Sequence, residues 1–79
     1  MPWKRNKAKS DSGTVGEAEM LLTSIEGIFA DLRYSEQATW EDALETSRSI
    51  LATVREKGRA TEKQIQALEN IKGGMGKWL

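Results

Sequence analysis

The sequence predicts an all-α protein, a small three-helix bundle behind a disordered basic N-terminal tail. Three observations lead there. Apolar residues recur at steps of three and four from Ala18 onward, the period of an amphipathic helix. Capping signals and a glycine turn divide that pattern into three segments, as expected where helix termini need partners for their unpaired backbone groups. No stretch alternates apolar and polar residues in the manner of a strand.

Residues 1–13 have no hydrophobic period and are rich in Lys and Ser, which predicts a flexible basic tail followed by a single helical domain over 14–79. Thr14 and Glu17 have the spacing of a capping box. Ala18, Leu21, Leu22, Ile25, Ile28, Phe29 and Leu32 then form one apolar face, placing the first helix at about 15–33. Gly27 interrupts it at a cost of ~1 kcal/mol relative to Ala, and close packing of a second helix would account for it.

The second helix is expected at about 36–57, capped by Ser35 or by Thr39 with Asp42. Its apolar face is Trp40, Ala43, Leu44, Ser47, Ile50, Leu51 and Val54, with Trp40 as the core anchor. Arg55 and Lys57 suit the negative end of the helix dipole, and Gly58 suits the left-handed residue just past it. Thr61 and Gln64 form a second capping box. Ile65, Leu68 and Ile71 make a narrow stripe beside Ala67, predicting a third helix at 62–72 that Gly73 and Gly74 end. Met75 to Leu79 are left as a short, partly apolar end. Its Trp78 either folds back onto the bundle or stays exposed for a partner.

Seventy-nine residues allow one small domain. Cysteine and histidine are both absent, which removes disulfide frameworks, zinc fingers, thiol nucleophiles and imidazole bases together. Carboxylates remain: Glu41, Asp42 and Glu45 on the second helix, Glu17 and Glu19 on the first. With helix starts near 36 or 39 they sit where the dipole stabilises negative charge anyway. A carboxylate di-metal bundle would call for Glu-x-x-His pairs. The glycines at 73, 74 and 76 follow no strand and precede no Gly-Lys-Ser/Thr, so they form no phosphate loop. The sequence therefore predicts no enzyme, no metal and no cofactor. No apolar run approaches the ~18 residues of a membrane span, and the charged start leads into Ser-Asp-Ser-Gly rather than an apolar stretch, so a cytoplasmic protein is expected.

The formal net charge is zero, but the charges are segregated. Lys4, Arg5, Lys7 and Lys9 face only Asp11 in the first thirteen residues, residues 14–45 hold eight acids against Arg33, and residues 46–79 hold seven bases against Glu56, Glu62 and Glu69. Segregated charge points to interaction surfaces. Two candidates follow. Glu36, Glu41, Asp42 and Glu45 form an acidic face suited to a basic partner surface. Trp3, Lys4, Arg5, Lys7 and Lys9 in the tail, with Arg55, Lys57, Arg59 and Lys63 around the second turn, suit nucleic-acid phosphates, with Trp3 able to stack on a base. Each set also has an ordinary reading as solvated surface. Reading a DNA major groove with the third helix is disfavoured, because Glu62, Lys63, Gln66, Glu69 and Asn70 make its outer face too acidic.

Residues 43–72 resemble a helical hairpin found in phage and mobile-element proteins of DNA replication and recombination. There, an apolar helix and a short Gly turn precede Ser/Thr-x-Lys-Gln-x-x-Ala-Leu-x-x-Ile. Ile50, Leu51 and Val54 match the preceding helix, and Thr61, Lys63, Gln64, Ala67, Leu68 and Ile71 match the motif. The resemblance implies a nucleic-acid-handling context and no catalytic residue.

The leading expectation is a small non-catalytic accessory or inhibitor protein that binds a larger protein or protein–nucleic acid complex. Its general profile is similar to that of phage-encoded inhibitors of host defence such as anti-CRISPR proteins. The alternatives are a single-stranded nucleic-acid-binding module, a small helical subunit of a nucleoprotein complex, and a homo-oligomer paired through leftover apolar faces.

Overall fold

The computed structural model describes residues 13–79, and within them the chain is an all-α three-helix bundle of α1 (Val15–Asp31), α2 (Tyr34–Lys57) and α3 (Glu62–Gly76). The expected flexible tail, apart from Gly13, lies outside the described residues.

The start of α1 is fixed by Thr14, whose hydroxyl accepts a hydrogen bond from the Glu17 amide at 3.0 Å; of the expected capping box, only this arm forms among the described residues. Its inward face buries Ala18, Leu22 and Ile25, while Leu21, Ile28 and Phe29 pack half-buried around them. The helix ends at Asp31, two residues before the expected 33, because Leu32 turns extended and its side chain enters the core. Gly27 is not explained by a neighbouring helix: it is exposed, and a Cβ there would meet nothing within 4 Å.

Neither Ser35 nor Thr39 caps α2. The helix begins at Tyr34, with Arg33 as the extended N-cap residue. Glu36 supplies the capping bond, its Oε1 accepting from the Arg33 amide at 3.0 Å. Gln37 reaches back from the first turns to donate to the Phe29 carbonyl at 2.9 Å, so one side chain helps close α1 and hold the tight α1–α2 connection. Further along, Leu44, Ser47, Leu51 and Val54 are buried. Ser47 satisfies its hydroxyl on the Ala43 carbonyl at 2.9 Å, which lets a polar residue sit fully buried at a tight crossing. Trp40 is a flank of the core rather than its anchor: it is half-buried. Gly58 ends α2 at φ 78°, its amide donating to the Val54 carbonyl at 2.8 Å, the left-handed conformation glycine adopts without a Cβ penalty.

The second capping box forms as the sequence indicates. Thr61 Oγ1 accepts from the Gln64 amide at 3.1 Å, and Gln64 Oε1 accepts from the Thr61 amide at 2.9 Å. The α3 helix does not stop at Gly73 and Gly74 but continues to Gly76. That extra turn drives Met75 into the core, where it is fully buried. Gly74 lies under the Trp40 ring, where a Cβ would come within 3.1 Å of Trp40 Cη2. Trp78 then folds back to meet Trp40 edge-on, with ring centroids 5.6 Å apart.

Two ion pairs bridge α1 and α2. Arg48 meets Glu26 at 3.2 Å and Arg55 meets Glu19 at 3.1 Å; numbering falls along one helix as it rises along the other, so the two run antiparallel. Gly76 lies by Ile28 and Gly13 by Ile65, so α1 and α3 run in the same direction. The α1–α2 turn and the end of α3 therefore share one end of the bundle. The α2–α3 turn shares the other with the start of α1.

Candidate functional site

The acidic candidates fall on the outer surface of α2. Glu41, Asp42 and Glu45 are exposed, while Glu36 is half-buried and committed to the α2 cap. Glu41, Asp42 and Glu45 line one shallow depression with Phe29, Leu44 and Arg48. Arg48, the cation there, is engaged by Glu26 on α1. Among the described residues, ion pairs form at Glu26 and Glu19 and at no other carboxylate.

The early start of α2 changes what these carboxylates mean. Counted from Tyr34 they are the eighth, ninth and twelfth residues of the helix, beyond the first turn to which dipole stabilisation is confined. Glu41 and Glu45 are also one turn apart, an arrangement of like charges that costs an isolated helix about 0.2–0.5 kcal/mol. Helix electrostatics thus do not account for this cluster. Tyr34, 89% exposed, begins the same outward row, seven residues before Glu41.

At the other end of the bundle, Arg55, Lys57, Arg59 and Lys63 are all exposed around the α2–α3 turn. Arg55 is held by Glu19, which leaves Lys57, Arg59 and Lys63 outside any ion pair among the described residues. The N-terminus of α3 offers less to an anion than the sequence suggests, because the Thr61–Gln64 box already occupies two of its amides. Trp3, Lys4, Arg5, Lys7 and Lys9 lie outside the described residues.

What sequence reasoning missed is the partner of this turn. Ala60 is fully buried, and its amide donates to the Gly13 carbonyl at 3.0 Å in an isolated antiparallel bridge. Gly13, grouped with the tail by composition, is itself buried there. A Cβ at Gly13 would fall 2.6 Å from Ile65 Cγ1 and 2.9 Å from Ala60 Cβ, so only glycine fits. The local signal was the glycine immediately before the Thr14 cap, which periodicity alone could not pair with Ala60.

The outward row of α3, Glu62, Lys63, Gln66, Glu69 and Asn70, is exposed as the sequence reading placed it. No three or more acidic side chains among the described residues are grouped to hold a metal ion. No helix among them is long and apolar enough to cross a membrane.

Comparison with protein-family models, with curated proteins and with solved structures found no match. The resemblance of residues 43–72 to the phage and mobile-element hairpin rests on the quoted residues alone.

Proposed function

We propose that this chain is a small, non-catalytic accessory or inhibitor protein that works by docking the outer face of α2 onto a basic surface of a larger protein or protein–nucleic acid complex. The observation that carries this reading is the position of Glu41, Asp42 and Glu45. They are exposed, beyond the reach of the helix dipole, and beside an arginine already engaged elsewhere. A cationic partner would relieve their mutual repulsion and steer the encounter. Tyr34 at the head of the row adds an amphipathic aromatic of the kind enriched at interaction surfaces.

Affinity capture from the chain's own host cells tests the reading when the wild type is run beside the charge reversal Glu41→Lys/Asp42→Lys/Glu45→Lys. The expected result is a captured protein with a basic surface that the reversal loses and a Lys57→Ala/Arg59→Ala variant retains. Identical capture by all three chains would remove the α2 face from the account.

A further inference from the structure

Helices α1 and α3 run side by side in the same direction, and a shallow groove follows the seam between them on the outside of the bundle. Toward the starts of the two helices it is lined by Glu17, Glu62 and Glu69. Toward their ends the lining is mainly apolar, with Leu21, Ile28, Gly73 and Gly76 beside Lys72 and Lys77. Met20 and Leu21, level with Glu69 and Lys72, join the two stretches. Three features of this groove have no account among the described residues. Met20 is 73% exposed. Gly73 weakens a helix interior, yet a Cβ there would meet nothing within 4 Å. The exposed Glu62, Glu69, Lys72 and Lys77 take part in no ion pair among the described residues.

The order of the charges says what fits. Along α3 and its C-cap the groove carries two acids, Glu62 and Glu69, and then two bases, Lys72 and Lys77. That pattern is complementary to its own reverse. We propose that the α1–α3 groove is the interface of a homodimer, occupied by the same groove of a second copy in an antiparallel, twofold-related pairing. A twofold axis crossing the seam between Glu69 and Lys72 lays α3 on α3 and sets Glu69 of each copy against Lys72 of the other. Counted outward from that axis, Glu62 and Lys77 differ by two positions, about 3 Å along a helix. Met20 of each copy then comes level with Gly73 of the other, whose missing Cβ leaves room for it. A parallel pairing is the poorer fit, because it lays α1 on α3 and brings Glu17 against Glu62 and Glu69. The groove is separate from the α2 face, so each stands or falls without the other.

Sedimentation equilibrium of the full chain, from about 10 μM to about 1 mM, tests this. The wild type is expected to move from the mass of one chain toward that of two as concentration rises. Each Glu69–Lys72 contact occurs twice across the axis, so Glu69→Lys or Lys72→Glu alone weakens association by about tenfold. Joining the two changes in one chain reverses both charges and restores the contact. The double variant therefore returns to within about threefold of wild type, with circular dichroism confirming that every variant is folded. A wild type that stays monomeric throughout overturns the proposal. Association that neither single reversal weakens, or that the double variant loses further, overturns this pairing. Association that survives the groove reversals but is abolished by Glu41→Lys/Asp42→Lys/Glu45→Lys overturns the groove in favour of the α2 face.

Discussion

Trp78 meets Trp40 edge-on, the rings 5.6 Å apart between centroids and 86° between planes. This pair joins the end of the chain to the first third of α2. It closes the end of the bundle where α1 turns into α2, and it explains why α3 continues beyond its glycines: an end at Gly73 would leave Met75 out of the core and Trp40 without its lid. Trp78 remains 44% exposed, so its replacement by Ala is expected to cost about 1–2 kcal/mol, most of it the aromatic pair itself. Denaturant unfolding followed by circular dichroism measures it.

Trp40 carries a second consequence. Its Nε1 is buried and has no hydrogen-bond partner among the described residues. An unmet buried donor costs ~1–3 kcal/mol, and Phe lacks that donor. Trp40→Phe is therefore expected within ~1 kcal/mol of wild type, whereas Trp40→Ala loses ~3 kcal/mol or more. If Phe proves as damaging as Ala, the indole nitrogen has a partner after all.

The glycines separate into opposed groups in the same unfolding measurement. Gly27 and Gly73 are helical and exposed, with open space where a Cβ would go, so each Gly→Ala change should stabilise by about 1 kcal/mol. Gly58→Ala should cost about 1 kcal/mol because φ is 78°. Gly13→Ala should cost more, since the added carbon would have to displace Ile65 or Ala60.

The contrast shows what was legible in the sequence. Local chemistry announced itself: Thr14, Gly58 and Thr61 cap or terminate helices as their types and spacings indicate. The apolar period also located Leu22, Ile25, Leu44, Leu51 and Leu68 in the core. Features that depend on distant residues did not. Gly74 reads as a helix stop until Trp40 is seen lying over it. Arg33 is an unusual N-cap residue, and Ser35 and Thr39 were better candidates by type, but Glu36 and Gln37 hold the turn two residues earlier. That shift in start also places Glu41, Asp42 and Glu45, already a binding candidate by charge, beyond the first turn of the helix. The Gly13–Ala60 bridge likewise joins partners that lie far apart in sequence.

Removing the cap at Thr61 by substitution with Ala should destabilise by about 1 kcal/mol, since it frees one amide and breaks a reciprocal box. Thermal melts of the variant, compared with Thr61→Ser, isolate the hydroxyl as the cause: Ser should restore most of the loss.

The Glu26–Arg48 and Glu19–Arg55 pairs bridge α1 and α2 but contribute little stability. Their side chains are roughly half exposed, and exposed pairs contribute ~0–1 kcal/mol each. A double-mutant cycle on either pair should give a coupling below about 1 kcal/mol that shrinks further in 1 M salt. A larger, salt-insensitive coupling would mean that the pairs are shielded from solvent.

The docking role of α2 is tested most directly by titrating the captured partner protein, once purified, against the wild-type chain and against Glu41→Lys/Asp42→Lys/Glu45→Lys in a calorimeter, with helix content checked for both. Loss of three charge contacts at roughly 0.5–1 kcal/mol each predicts affinity weaker by about tenfold or more, and binding of the wild type that weakens as salt rises. Equal affinity for the two chains, with both folded, would contradict it.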